Sequence, residues 1–161
     1  MNELKLKPIG VIHSPFKEPT GVPIQSSGAI DIEGTAEVFS EYSEGLKDIE
    51  GFSHIILIYY FHLSKKPLLL VTPFLDNHVH GVFATRASSR PNPIGISVVE
   101  LIKIKRNILH IKNMDIVDGT PLLDIKPCVP EFDFKNITKI GWLEHTIHKL
   151  PTLKDDGRFV K

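Results

Sequence analysis

Gly95-Ile96-Ser97-Val98-Val99-Glu100-Leu101-Ile102-Lys103-Ile104-Lys105-Arg106-Asn107-Ile108-Leu109-His110-Ile111-Lys112-Asn113-Met114 is the stretch that decides the fold. Its apolar residues are mostly β-branched, and such side chains suit a pleated surface and lose rotamer freedom in a helix. Arg106-Asn107 interrupts the run as a two-residue turn in which Asn tolerates positive φ, so the whole reads as a hairpin with strands over residues 95–105 and 108–114. Working outward, similar apolar runs predict strands at residues 4–14, 29–32, 54–61, 68–71, 82–85 and 122–126. Two stretches read as helical. Residues 42–49 place Tyr42, Leu46 and Ile49 on one face ahead of Gly51, and residues 141–150 do the same with Trp142, His145 and Leu150 before Pro151.

Composition agrees with strands. The chain of 161 residues holds 20 Ile, 11 Val and 8 Thr against only 4 Ala, and its 12 Pro and 11 Gly supply turns and discourage long helices. An all-β-dominated, barrel-like closed sheet with small helical insertions is expected, as one domain over residues 1–161 whose last stretch, 151–161, is loose or docked on a neighbour. Hydrophobic residues at 42% and charged residues at 24% argue against disorder. Nineteen basic and nineteen acidic side chains cancel, so any nucleic-acid contact must come from a local patch. The single Cys128 excludes a disulfide framework and a thiolate zinc site. Met1-Asn2-Glu3-Leu4-Lys5 carries no apolar core of signal-peptide length, and no run approaches the roughly 18 residues of a membrane span, so a cytoplasmic protein is expected.

Four segments carry more constraint than strands require. Gly10 to Phe16, followed by Gly21-Val22-Pro23-Ile24-Gln25-Ser26-Ser27-Gly28, is a strand leaving into a loop where Gln25, both Ser and the amides around Gly28 can hydrogen-bond a polar ligand. Gly51-Phe52-Ser53-His54 begins an apolar strand bracketed by His54 and His62. In Gly81 to Ser97, two prolines flank Asn92, which forbids a regular element and fixes Arg86 and Arg90 on a stiff loop. A guanidinium fork suits a carboxylate or phosphate, although one of these two arginines is expected to tie loop carbonyls together instead. Asn113 to Pro127 holds Asp115, Asp118 and Asp124 near buried strands, with Asp118-Gly119-Thr120-Pro121 as a turn.

These segments together resemble the TrmO family (TsaA-like or YaeB-like proteins) from about Ile9 to Pro130, most specifically in Phe83-Ala84-Thr85-Arg86, Arg90-Pro91-Asn92-Pro93-Ile94-Gly95, Asp118-Gly119-Thr120-Pro121 and Asp124-Ile125-Lys126-Pro127. The ending Asp155-Asp156-Gly157-Arg158-Phe159 resembles the tail of short archaeal-type members, without the extra C-terminal domain of many bacterial relatives. The resemblance implies a single-sheet closed β-barrel, a homodimer, and an S-adenosyl-L-methionine-dependent tRNA methyltransferase. Its implied target is the exocyclic N6 of threonylcarbamoyl-modified adenosine beside the anticodon of threonine tRNA. It also implies cofactor contacts at Ser26, Ser27, Gly28, His62, Leu63, Arg86, Ile96, Lys112, Asn113, Met114 and Asp115, which Gln25 joins from the loop reading above.

Methyl transfer to a weakly nucleophilic nitrogen needs a proton acceptor, for which Asp118 is the first candidate and His54 the second. Arg86 is expected to grip the cofactor's carboxylate. For RNA, the hairpin offers Lys103, Lys105, Arg106, His110 and Lys112, with Arg90 and Lys126 nearer the presumed site. Two other classes compete. His78-Val79-His80 with Asp76 suggests a metal-dependent hydrolase, though no metal-binding motif accompanies it. A non-catalytic module binding the cofactor or RNA would present the same contact residues.

Overall fold

The computed structural model describes residues 3–160, so Met1, Asn2 and Lys161 of the expected domain and tail lie outside the described residues. In chain order the strands are β1 (Gly10–His13), β2 (Glu33–Val38), β3 (His54–Tyr60), β4 (Leu70–Val71), β5 (His80–Gly81), β6 (Ile94–Lys105), β7 (Ile108–Lys112) and β8 (Thr120–Pro127). Strands β1, β2, β7, β6, β3 and β8 pair antiparallel in that order and close into a barrel, while β4 and β5 form a separate ribbon. The closed all-β architecture expected from composition is therefore present.

Pleat alternation explains the core. On β6, Gly95, Ser97, Val99 and Leu101 are buried, whereas Ile94, Ile96, Val98 and Ile102 stay exposed. Ile12, Ile55, Leu57, Val99, Leu109, Ile111, Met114 and Leu122 are essentially inaccessible and fill the interior as one cluster. A second, smaller cluster of Val71, Val82, Ala87 and Phe159, with Phe74 against it, sits under the loops.

Several element boundaries differ from the sequence expectation. The strand expected over 4–14 is confined to β1; Leu4 and Leu6 are exposed. Residues 29–32 are not a strand, since Ser26–Gly28 is a 3-10 turn and Asp31 has φ 60°. The pairing strand is instead β2, whose Glu33-Gly34-Thr35-Ala36-Glu37-Val38 is held by β1 and β7 on its two sides. The apolar run 82–85 folds as a 3-10 turn (Val82–Ala84), with Thr85 Oγ1 donating back to Val82 O at 2.9 Å. Both expected helices are broken into 3-10 turns: Ser40–Leu46 and Ile49–Gly51 separated by Asp48 at φ 68°, and Gly141–His145 and Ile147–Lys149. An α-helical turn, α1 (Pro130–Asp133), follows β8. At the hairpin tip, positive φ falls on Arg106 (57°) rather than Asn107, whose Nδ2 donates to Val38 O at 2.7 Å.

Leu109 lies wholly inside the barrel, so Leu109→Ala leaves a cavity the rigid sheet cannot collapse around. The expected loss is about 2–5 kcal/mol of unfolding free energy, read from the urea midpoint at unchanged m-value.

Candidate functional site

Ring closure gives the barrel two ends. The strand registers place His13, Tyr60, Ile94, Lys112 and Thr120 at one end, and Gly10, Val38, His54, Lys105 and Pro127 at the other. The connections spanning residues 14–32, 61–93 and 113–119 all emerge at the first end. There they enclose a cavity of about 730 Å³, within the usual range of ligand sites.

The chain supplies a further wall that the sequence did not announce. After α1, residues 134–140 run exposed back toward this end, and Trp142, Leu143, Ile147, Leu150 and Phe159 then line the cavity. This segment docks on its own chain. Trp142 Nε1 donates to Ala84 O at 2.8 Å and its ring stacks on His80, with centroids 4.6 Å apart. Asp155 exchanges backbone bonds with Gly21 and Val22 (2.7 and 2.8 Å), and Ser89 Oγ donates to Phe159 O at 3.2 Å. Only the tryptophan, among apolar residues flanked by polar ones, hinted at such a role.

The two loop arginines divide their work. Arg90 Nη1 donates to Thr85 O, Ala87 O and Val82 O at 2.9, 3.2 and 3.3 Å, tying the proline-braced loop to itself, and its guanidinium lies 6.0 Å from the Phe83 ring centre. Arg86 is exposed on the cavity wall, and its Nη1 donates to the neutral Gln25 Oε1 at 2.7 Å. It retains donors for an anion.

Facing Arg86 is a polar chain rooted in the barrel. Ser97 Oγ donates to Asp115 Oδ1 at 2.7 Å, and Ser97 Oγ lies 3.0 Å from Tyr59 OH. The serine's one proton is committed to Asp115, so the tyrosine donates to the serine. Burial pushes the Asp115 carboxyl up to about 6, opposed by its bond from Ser97, its own amide, the Arg86 charge and the Ser26 amide. Burial, reinforced by the Asp115 charge, also raises the Tyr59 phenol far above its ordinary value, which keeps it a neutral donor. Gly95 permits this packing, because a Cβ there would overlap the Tyr59 ring. His62 lines the same cavity, and burial lowers its proton affinity. Thr120 Oγ1 donates to Val117 O at 2.7 Å, so its 3.4 Å contact with His62 Nδ1 is made by an imidazole N–H.

Gln25, Ser27, His62, Leu63, Arg86, Ile96 and Asp115 thus meet around one cavity, as does Arg90. Ser26 reaches it through its amide, and Gly28 lies one residue beyond Ser27. Lys112 pairs with Asp31 at 3.6 Å, Asn113 (φ 64°) accepts from the Asp31 amide at 3.4 Å, and Met114 is fully buried beside Gly34; these three stand behind the wall. His54 sits at the far end of β3, about 17 Å of strand from Tyr59, hydrogen-bonded to Ser53 Oγ. Asp118 is at the right end but faces another loop: Oδ1 accepts from the Ser14 amide at 3.0 Å and Oδ2 pairs with Lys17 at 2.7 Å. The Lys17 bond, with the Ser14 amide, holds its carboxyl below the usual range, which suits a turn anchor better than a base. Lys103, Lys105, Arg106 and Lys126 are at the opposite end, with Lys126 paired to Asp124 at 2.8 Å. Among the described residues no three His, Cys, Asp or Glu are grouped to hold a metal ion; Asp76 hydrogen-bonds His80 at 2.8 Å and His78 at 2.9 Å.

Fold and site together define an antiparallel barrel with a ligand-sized cavity at one rim rather than at the edge of a parallel sheet. The chain belongs to the family of tRNA-methyltransferase O N-terminal domains, which it matches over residues 11–134. A protein of Pyrococcus abyssi named a probable S-adenosyl-L-methionine-binding protein is 67% identical over 95% of this chain and 83% of its own length. The tRNA (adenine(37)-N6)-methyltransferase of Escherichia coli K12 is 36% identical over 81% of this chain and 60% of its own. The crystal structure of TrmO from Pseudomonas aeruginosa superposes with a TM-score of 0.73 at 36% identity, covering 88% of this chain and 63% of that one. This chain therefore spans less than two-thirds of those two bacterial proteins.

A depressed carboxylate stabilises the fold only while ionised in the native state and protonated less readily there than when unfolded. Asp118→Asn should therefore lower the melting temperature at pH 7, and the gap to the wild type should close as pH falls below the ordinary Asp value of about 3.9. Melts at stepped pH measure this, and a gap that stays constant would contradict the anchor role.

Proposed function

We propose that this chain is an S-adenosylmethionine-dependent methyltransferase that modifies the exocyclic N6 of threonylcarbamoyl-adenosine beside the anticodon of tRNA, with threonine tRNA as the substrate, in the cytoplasm. The observation that carries the reading is the placement of Arg86 and Asp115 on one largely apolar cavity, both from segments that resemble the family. Membership of the family and the name of the Escherichia coli relative support the reaction class; the name of the Pyrococcus relative supports the cofactor.

The residues present fit that cofactor. Apolar side chains such as Phe61, Leu63 and Ile96 offer a face for a purine, and Arg86 offers a fork for a carboxylate. When bound, S-adenosylmethionine supplies a methyl group already activated by a sulfonium charge. The protein's part is then mostly positioning, which fixed loops can provide at a gain of several kcal/mol. Arg86 exchanges the neutral Gln25 partner for a charged one, while Arg90 holds the loop that carries it.

The basic hairpin tip at Arg106 stands about 40 Å of strand along β6 from Ile94, so no mononucleotide touches both it and the cavity, whereas a folded tRNA reaches both. Lys103, Lys105, Arg106 and Lys126 then contact phosphates, and Arg90 supports the entry loop. On the outer face of β6, Ile94 and Ile96 line the cavity while Val98 and Ile102 continue the exposed apolar stripe away from it, which suits the proposed homodimer. The Pyrococcus name also favours a second reading, a non-catalytic module that binds the same molecule.

Incubation of the full chain with tRNA carrying threonylcarbamoyl-adenosine and S-adenosylmethionine should add about 14 Da to that nucleoside, seen by mass spectrometry. Binding without this gain leaves the module reading. Arg86→Ala should weaken S-adenosylmethionine at least 10-fold by calorimetry, on a charged hydrogen bond of about 1.5–3 kcal/mol. Unaltered affinity would remove Arg86 from that role.

A further inference from the structure

A methyl acceptor nitrogen that carries a hydrogen must lose it, so the site needs a proton acceptor within reach of the bound base. The groups on the cavity that carry charge or exchange protons are Tyr59, His62, Arg86, Arg90, Asp115 and Asp155. Both arginines are cationic donors without an acceptor atom, and Tyr59 is a buried neutral donor. Asp155 anchors the C-terminal segment through backbone bonds to Gly21 and Val22, and its carboxylate is engaged within that segment, Oδ1 accepting from the Gly157 amide at 2.6 Å. His62 and Asp115 remain. His62 has one long contact, 3.4 Å to Thr120, whereas Asp115 is fixed at 2.7 Å by Ser97, which Tyr59 fixes in turn at 3.0 Å from the barrel interior.

We infer that Asp115 is the proton acceptor of the methyl transfer, with Ser97 and Tyr59 as positioning residues that hold its carboxylate. This rests on the methyltransferase reading above. In the step, the N6 proton passes to an Asp115 oxygen, the freed nitrogen pair forms the bond to the methyl carbon, and the carbon–sulfur pair leaves with sulfur, which becomes a neutral thioether. Asp115 is left as the acid and returns its proton to water when the products go. A carboxyl partly shielded from water beside Tyr59 has the raised proton affinity this task requires, whereas the carboxyl of Asp118, bonded to Lys17, has a lowered one. The two acids are three residues apart in sequence and face different loops.

The test is single-turnover transfer of labelled methyl from S-adenosylmethionine to tRNA bearing threonylcarbamoyl-adenosine, with calorimetric cofactor affinity measured in parallel. At saturating S-adenosylmethionine, Asp115→Asn should slow transfer about 100-fold or more, well beyond any loss of cofactor affinity. The wild-type rate should rise with pH along a limb at or below about pH 6, the bound sulfonium charge lowering the value further, and the variant should lack that limb. Ser97→Ala keeps the carboxylate but removes a bond that lowers its proton affinity, so the limb should move to higher pH; this arm holds even if Asp115→Asn fails to fold. An unslowed Asp115→Asn, a rate loss matched by lost cofactor affinity, or a limb that vanishes in His62→Gln and stays put in Ser97→Ala overturns the assignment while the reaction stands. A wild type that transfers no methyl group overturns both.

Discussion

Closure of six antiparallel strands into a ring is the constraint on which the rest depends. A closed sheet has no edge and, at this strand number, no lumen: the interior is filled by Ile12, Leu57, Val99, Leu109 and their neighbours. A ligand then cannot enter the ring, and the cavity lies where the loops gather at one rim. Because every strand is antiparallel to its neighbours, connections alternate between the two rims, and chain order decides which rim is rich in loops. Here the long connections 14–32 and 61–93 fall at the same rim as 113–119, whereas the opposite rim carries the shorter connection 39–53 and the two-residue hairpin turn. The polarity of the molecule follows from that count of residues.

The same closure explains how a carboxyl is partly shielded from water without unfolding the site. Asp115 sits just past β7, where the interior of the barrel meets the loops, and Ser97 and Tyr59 reach it from β6 and β3. Side chains on paired strands have little freedom to drift, so the hydrogen bonds that offset desolvation are held by the ladder itself. The missing Cβ of Gly95 makes room for the phenol ring at that level. A loop carboxylate of the same type, Asp118, answers to different neighbours and is drawn toward ionisation by Lys17.

The hairpin was legible because two apolar, largely β-branched runs flank a two-residue turn at Arg106-Asn107. Strand β2 was not, since Glu33, Gly34, Thr35 and Glu37 look like a loop until the ladders of β1 and β7 are placed on either side. The error at 82–85 has the opposite cause: an apolar run with strand chemistry was bent into a 3-10 turn by Thr85 and by the Arg90 bonds. Motif residues such as Arg86 and Asp115 could be picked out by type, but which Asp is shielded and which is paired depends on contacts 18 to 101 positions away in the chain. The C-terminal wall was hidden for a related reason. Nothing local in residues 141–160 says that they return across the outside of the barrel to cover its other end.

Rigidity is the property that links these parts. A cleft built from three loops and a returning segment would ordinarily lose much of its binding energy to ordering itself around a ligand. In this chain the ordering is already done before any ligand arrives: Arg90 spans three carbonyls of its own loop, Trp142 ties the returning segment to Ala84, and Arg158 donates to Thr72 and Pro73 beneath it. Arg86 is the exception, exposed and engaged only by a neutral amide. One exposed cation on a frame braced by these bonds can pair with a charged group without the rest of the site having to rearrange.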